Sequence, residues 1–263
     1  MSNIAQLSPA EARQWIREGR WVKPTAGMSN GYAQANLAIL PKELAFDFLL
    51  FCQRNPKPCP VLDVTEAGSP VPRLVAPDAD IRTDIPKYRI YRDGEWVDEV
   101  TDITGYWQDD MVAFLLGCSF SFESALMNNG ISIRHIEDGC NVPMYKTSIP
   151  CTPAGRFEGP MVVSMRPIPE KDVVRAVQVT SRFPAVHGAP VHIGHPEAIG
   201  IQNIHKPDFG DAVAIKEGEV PVFWACGVTP QAVAMQVKPK LMITHAPGHM
   251  FITDQRDEQY GVL

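Results

Sequence analysis

The chain has 263 residues, 45% of them apolar and 21% charged, with a formal net charge of -6 at pH 7. That length and balance suit one large or two smaller folded domains and exclude a disordered chain. The acidic balance and the lack of any Lys/Arg run speak against nucleic acid, and no apolar run approaches the roughly 20 residues that cross a bilayer.

Met1–Leu7 has neither the basic start nor the apolar stretch of an export signal, so the expectation is a cytoplasmic protein with six reduced cysteines. Ser8-Pro9-Ala10-Glu11 predicts a helix start with a capping box, and Gly19 its end. Gly31–Asn36 is small and polar and leads into the apolar Leu37–Leu40. Pro41 then opens a helix over about Lys42–Arg54, with Leu44, Phe48 and Phe51 on one face. Val61–Val64 reads as a buried strand. Lys87–Tyr91 and Glu95–Val100 flank Asp93-Gly94, a hairpin signal. Further on, the pattern predicts short strands at Ile131–His135, Asn141–Tyr145, Met161–Arg166, Pro190–Ile193 and Ile199–Ile201, a helix over Glu170–Arg182, and last strands at Leu241–Thr244 and Met250–Thr253.

Two segments share a design. Val112–Glu123 and Val220–Gln231 are each an apolar strand that breaks at a Gly/Cys pair and restarts as a helix. Ser119 or Ser121 and Thr229 stand where helix caps belong, and Pro230 suits a first helical position. Such a tip presents backbone N–H groups and the positive end of the helix dipole. It can bind a carboxylate or stabilise an oxyanion. A cysteine there can have a lowered pKa, which makes Cys118 and Cys226 candidate nucleophiles. The plainer reading of each is a small core filler. Glu123 falls in the first turns of its helix, either to move a proton or simply as favourable charge near the dipole.

Histidines cluster late in the chain. His187 and His192, and His245 and His249, have metal-like spacing, but Pro247 and Gly248 argue against the helix that would bring the second pair together. Loop histidines that bond substrate or shuttle protons are the preferred reading. No dinucleotide, phosphate-loop, nucleophile-elbow or zinc-protease motif is present, so no cofactor and no metal is expected.

Gln34-Ala-Asn-Leu-Ala-Ile-Leu-Pro41, Gly117-Cys-Ser-Phe-Ser-Phe-Glu123, His187-Gly-Ala-Pro-Val-His-Ile-Gly194, Phe223-Trp-Ala-Cys-Gly-Val-Thr-Pro-Gln231 and Ile243-Thr-His-Ala-Pro-Gly-His-Met-Phe-Ile-Thr-Asp254 resemble the bacterial hydro-lyase family, which is similar to the N-terminal region of the mitochondrial D-glutamate cyclase. The resemblance spans nearly the whole chain. It departs at His195, where the family usually has an acid. It implies cyclisation of D-glutamate to 5-oxo-D-proline with loss of water, or a related step on a small amino or hydroxy acid. The catalytic candidates are then Cys118, Glu123, Cys226, His187 and His245, and the substrate-binding candidates Asn36, Ser119, Ser121, Thr229, Gln231 and His249. Two readings stand beside it: a metal-dependent hydrolase or isomerase using the loop histidines, and a non-catalytic small-acid binding protein.

The expected architecture is α/β. A main domain, residues 1–145 and 215–263, has a mixed sheet with helices on both faces and carries both Cys turns. A smaller α+β two-layer unit, residues 146–214, is inserted in it. The expected partner is a small anionic metabolite, with no nucleic acid and no membrane, in a homo-oligomer.

Overall fold

The computed structural model describes residues 4–262. Two sheets, both wholly antiparallel, form its frame. This corrects the expectation of a mixed sheet. Neighbouring strands run in opposite directions throughout, even where they are far apart in sequence, so the parallel pairs that a mixed sheet needs are absent among the described residues.

The seven-stranded sheet is built on β1 (Tyr32–Pro41), which is buried along almost its whole length. One edge of β1 pairs with β5 (Met111–Gly117), beyond which lies β2 (Val61–Val64). Its other edge is shared by two strands in line. β10 (Met242–His245) pairs at Ala38 and Ile39, and β11 (Phe251–Arg256) pairs from Tyr32 to Ala35. β3 (Tyr88–Arg92) and β4 (Glu95–Val100) continue outward from β10. Asp93 and Gly94 both have positive φ, 51° and 84°, as a tight hairpin turn of this twist requires. β2 is an edge strand with Val61 exposed, not the buried strand expected.

One face of this sheet is covered by α2 (Lys42–Arg54) and α6 (Val228–Val237). Leu44, Phe48 and Phe51 pack with Phe114, Leu116, Val233 and Val237. The other face is covered mainly by irregular chain: Val75, Ala76, Ile81 and Ile85 pack on Leu37, Ile39, Leu115 and Ile243. Helices on both faces are therefore not what the main sheet has. The segment from 65 to 87 holds four prolines and one glycine, which preclude a long helix but still let it bury apolar side chains. α1 (Pro9–Arg17) begins with the expected capping box between Ser8 and Glu11 and packs Ala12 and Ile16 on Ile252.

The four-stranded sheet has the order β6 (Met144–Pro150), β7 (Pro160–Pro169), β9 (Glu219–Ala225), β8 (His192–Ile193). β9, the strand that feeds the second Cys turn, was expected in the main sheet. It lies in the second one, paired with β7 from Val163 to Pro169. Against one face pack α3 (Phe120–Asn128) and α5 (Val173–Ser181), through Phe122, Leu126, Ala176 and Trp224. Ile131–His135 is not a strand: it leads into the short helix α4 (Arg134–Glu137). Ile199 ends the short helical turn Pro196–Ile199, and Ile199–Ile201 forms no strand. Among the described residues no helix is long and apolar enough to cross a membrane.

Candidate functional site

The two Cys turns leave different sheets, β5 to α3 and β9 to α6, and meet where the sheets adjoin. They enclose a small cavity lined by Asn36, Cys118, Ser119, Cys226, Gly227 and His245, with Asn141, Met144, Pro247 and Gly248 among the remaining walls. Its volume is about 20 Å³, room for about one water.

Asn36 joins the two turns. Its Nδ2 donates to the Gly117 carbonyl at 2.8 Å. The same amide lies against Gly227 so closely that a Cβ there would stand 2.0 Å from Nδ2. Gly117 is equally confined, since its Cβ would meet the Ala185 carbonyl at 2.2 Å. Both glycines are demanded by close approach of backbone and side chain, not by backbone angle.

No side chain caps α3 or α6. Ser119 and Gly227 hold the N-cap positions, and Thr229 and Pro230 are second and third in α6, so the expected caps at Ser121 and Thr229 are corrected. Each cysteine sulfur instead accepts from the backbone N–H two residues on, Phe120 to Cys118 at 3.5 Å and Val228 to Cys226. Burial pushes the Cys118 thiol far above its ordinary value and Cys226 to about 11, outweighing those N–H groups and the charge of Arg166. The lowered cysteine pKa expected at a helix N-terminus is thus reversed. Desolvation of a thiolate costs more here than the helix end returns.

His245 sits at the end of β10, just where the ladder between β1 and its partners is interrupted. The N–H of Leu37, which lacks a strand partner at that gap, donates to His245 Nδ1 at 3.0 Å, and Gln231 Nε2 lies at the same distance. Nδ1 is also 3.3 Å from the Leu37 carbonyl, but the two donors at 3.0 Å outweigh that longer contact, and with Nδ1 as acceptor the neutral ring carries its proton on Nε2. Burial lowers the pKa of this ring to about 4, so it is neutral at physiological pH.

Behind the Cys118 turn lies a charged cluster that sequence reasoning missed. Arg166 of β7 donates from Nε to Glu123 Oε1 at 3.0 Å, from Nη1 to Ser164 Oγ at 3.0 Å and from Nη2 to Ser119 Oγ at 3.0 Å. A further contact joins Nη2 to the same Glu123 oxygen. His135 Nε2 is 3.2 Å from that oxygen. Both partners of the ion pair are almost wholly buried. Burial alone would raise the Glu123 carboxyl, but His135 and Arg166 outweigh it and hold it below its usual range. The Arg166 side chain also stands over the Phe122 and Trp224 rings. An arginine within a strand buried continuously from Val162 to Ile168 was the available signal, because a buried cation needs a partner.

The remaining candidates are placed outside the cavity wall. Glu123 reaches it only through Arg166 and Ser119. His187 lies beneath the Gly117 turn with Nδ1 at 2.8 Å from the Lys57 carbonyl, and burial lowers it to about 4. Ser121 accepts from the Gln34 N–H at 3.2 Å, and Thr229 ties α6 to β7 through the Val162 N–H at 3.0 Å. Gln231 supports His245, while His249 Nδ1 turns to the Pro247 carbonyl at 3.0 Å. The spaced histidines do not converge. Among the described residues no three His, Cys, Asp or Glu side chains form a metal-ligand group. His195 is exposed and takes no part in the cavity. Asn141 lines the cavity and was not foreseen; polar loop residues carry no such mark in sequence.

A larger cleft, about 540 Å³, lies between α3, α5 and the C-terminal turn, but none of the candidate residues lines it. We favour the smaller cavity on chemical grounds, since it gathers the polar groups.

The D-glutamate cyclase family model matches residues 112–254. A Geobacillus kaustophilus protein named "Putative hydro-lyase" is 74% identical over 263 residues, covering 100% of both chains. The Bacillus subtilis protein "Putative hydro-lyase YcsI" is 73% identical over 257 residues, 98% of this chain and 100% of that one. A Methanococcus jannaschii nitrogen repressor-like protein of known crystal structure covers 93% of this chain and 97% of its own at 8% identity and a TM-score of 0.40, a likeness too slight to bear on fold or function. With both Cys turns, His245 and most of the second sheet inside the matched span, and with relatives this similar from end to end, the chain belongs to the D-glutamate cyclase family, together with the bacterial proteins that carry the hydro-lyase name.

Proposed function

We propose that the protein is a hydro-lyase that cyclises D-glutamate to 5-oxo-D-proline with release of water. The observation that carries this reading is the convergence of two helix N-termini, Asn36 and a neutral His245 on one buried cavity. Attack of the amine on the side-chain carboxyl builds negative charge on a carboxyl oxygen. The N-terminal turns of α3 and α6 supply donors and dipoles for that charge in a water-poor setting. His245, with its proton on Nε2, donates toward the leaving hydroxyl and can take a proton back from the amine. Ser119, held by Arg166, offers a further fixed hydroxyl. Both thiols stay protonated near neutral pH, which disfavours an acyl-cysteine step and leaves them as weak donors at the helix ends. Glu123 and Arg166 act as positioning residues through Ser119.

The cavity is too small for glutamate as it stands, so entry requires the wall formed by Asn141, Pro247 and Gly248 to part. The test is chiral chromatography with mass detection on pure protein given D-glutamate, L-glutamate and related acids. Loss of D-glutamate matched by 5-oxo-D-proline is the expected result. Folded protein that consumes none of these acids overturns the proposal.

A further inference from the structure

Outside the cavity wall lies a second, open chamber of about 380 Å³, lined by Arg89, Asn141, Asp208, Phe209, Asp211 and Pro247 among others. Asn141 and Pro247 belong to both spaces, so the chamber is the vestibule of the buried cavity. We propose that this vestibule binds the head group of a free α-amino acid, the carboxylate on Arg89 and the ammonium between Asp208 and Asp211. The proposal rests on the reading of the inner cavity as a D-glutamate site and adds to it the residues that select the head group outside the cavity wall.

Three observations support it. First, Arg89 is positioned in advance. Its Nε donates to Glu99 at 3.0 Å, and its guanidinium lies 4.5 Å from the centre of the Trp96 ring. With Nε so used, the two terminal nitrogens form a fork suited to a carboxylate. Second, the register sets Arg89 opposite Thr244, one residue before His245. The charge of Arg89 is felt at that ring, where it adds to the lowering that burial causes. The cation therefore stands one register position from the histidine that lines the cavity. Third, the chamber is not simply basic. Asp208 Oδ2 accepts from the Lys146 N–H at 2.8 Å, and Asp211 Oδ2 from the Asn141 N–H at 2.9 Å. Each carboxylate is fixed by one backbone donor through one oxygen. A chamber with one guanidinium and two carboxylates repels a plain dicarboxylate and matches a group carrying both charges. An amino acid seated this way points its side chain past Asn141 toward the Cys turns.

Binding is read by thermal shift titration of the whole protein with D-glutamate, D-2-hydroxyglutarate and glutarate. We expect D-glutamate to bind about 10- to 100-fold more tightly than the two acids that lack an amine, the range of one charge-assisted contact. Arg89→Gln weakens D-glutamate by a similar factor. Asp208→Asn and Asp211→Asn, which keep shape, erase the preference for amine over hydroxyl while leaving the hydroxy acid's affinity in place. Equal affinities for all three acids in the unmodified protein, or no binding of any, overturns the inference without recourse to a variant. So does a folded Arg89→Gln that binds D-glutamate as the parent does. The amine preference with no turnover would sink the cyclase reading and leave the vestibule standing. Turnover of D-glutamate with a KM indifferent to Arg89, Asp208 and Asp211 would do the reverse.

Discussion

Cys118 and Cys226 stand at helix N-termini, yet burial raises both thiols, Cys226 to about 11. Near neutral pH neither is a thiolate in any useful amount, and only the thiolate alkylates rapidly. Cys140 is the one cysteine of the six that is not buried. Brief iodoacetamide treatment followed by peptide mapping is therefore expected to label Cys140 first and to leave Cys118 and Cys226 unlabelled until the protein is unfolded. Labelling of either turn cysteine as fast as Cys140 would contradict the burial argument. Asp257 gives a second test at this scale. Burial, helped by Glu258 and opposed by Ser121 and Arg256, raises its carboxyl from 3.8 to about 7. The folded state then keeps a proton that the unfolded chain has released, so this group's stabilising share is full below pH 3.8 and is lost as pH rises through about 7. His187 and His245 work in the opposite direction. Both fall from 6.5 to about 4, so their share is present above pH 6.5 and is lost as pH falls toward 4. Asp257→Asn should raise the melting temperature above pH 7, by roughly 1–3 kcal/mol of stability after discounting for water near the carboxyl, with the gain vanishing toward pH 4. Calorimetry across that pH range decides it.

The strand-to-helix turn with its Gly/Cys pair works as an element because its glycine lets something else come close. At the second turn that something is the Asn36 amide, and a methyl group on Gly227 would overlap it. Gly227→Ala is expected to cost about 1–3 kcal/mol through overpacking. Asn36→Ala in the same chain should recover part of that loss, because the colliding atoms are gone. Urea unfolding of both single variants and the double variant measures the coupling, and strictly additive changes would show that the contact does not matter. The end of β10 is a second example of an element shaped for the site. β10 and β11 share one edge of β1, and the gap between them exposes the Leu37 N–H, which His245 then takes. An unpaired backbone donor at a strand gap thus fixes the tautomer of the ring that faces the cavity.

At the scale of the whole molecule, the site lies where two antiparallel sheets adjoin, and a buried ion pair spans the junction. Arg166 belongs to β7 of the second sheet. Its partners Glu123 and Ser119 belong to the turn and helix that leave the first. Removing one member leaves an unpaired charge in the interior, which typically costs about 3–5 kcal/mol. Glu123→Gln and Arg166→Met should each destabilise on that order, and the double variant should lose less than their sum. Chemical denaturation tests this, and a near-neutral Arg166→Met would show the pair to be dispensable.

Local features were legible in the sequence wherever a short-range cause suffices. The Ser8 capping box, the Asp93-Gly94 turn, the helix after Pro41 and the shared strand-to-helix design with its Gly/Cys pair depend on residues within a few positions of one another. The resemblance to the hydro-lyase family, now matched by relatives over the full chain, is likewise carried by sequence. What depends on packing was decided only in three dimensions. The sheet to which β9 belongs, the all-antiparallel pairing and the meeting of the two turns arise from long-range ladders that no local pattern specifies. The same holds for the thiols, whose pKa follows burial more than helix position, and for Arg166, His135 and Asn141, which become a site only once distant segments enclose them. Spacing along a chain sets which groups a turn presents; desolvation and the identity of the neighbour across the fold set what those groups can do.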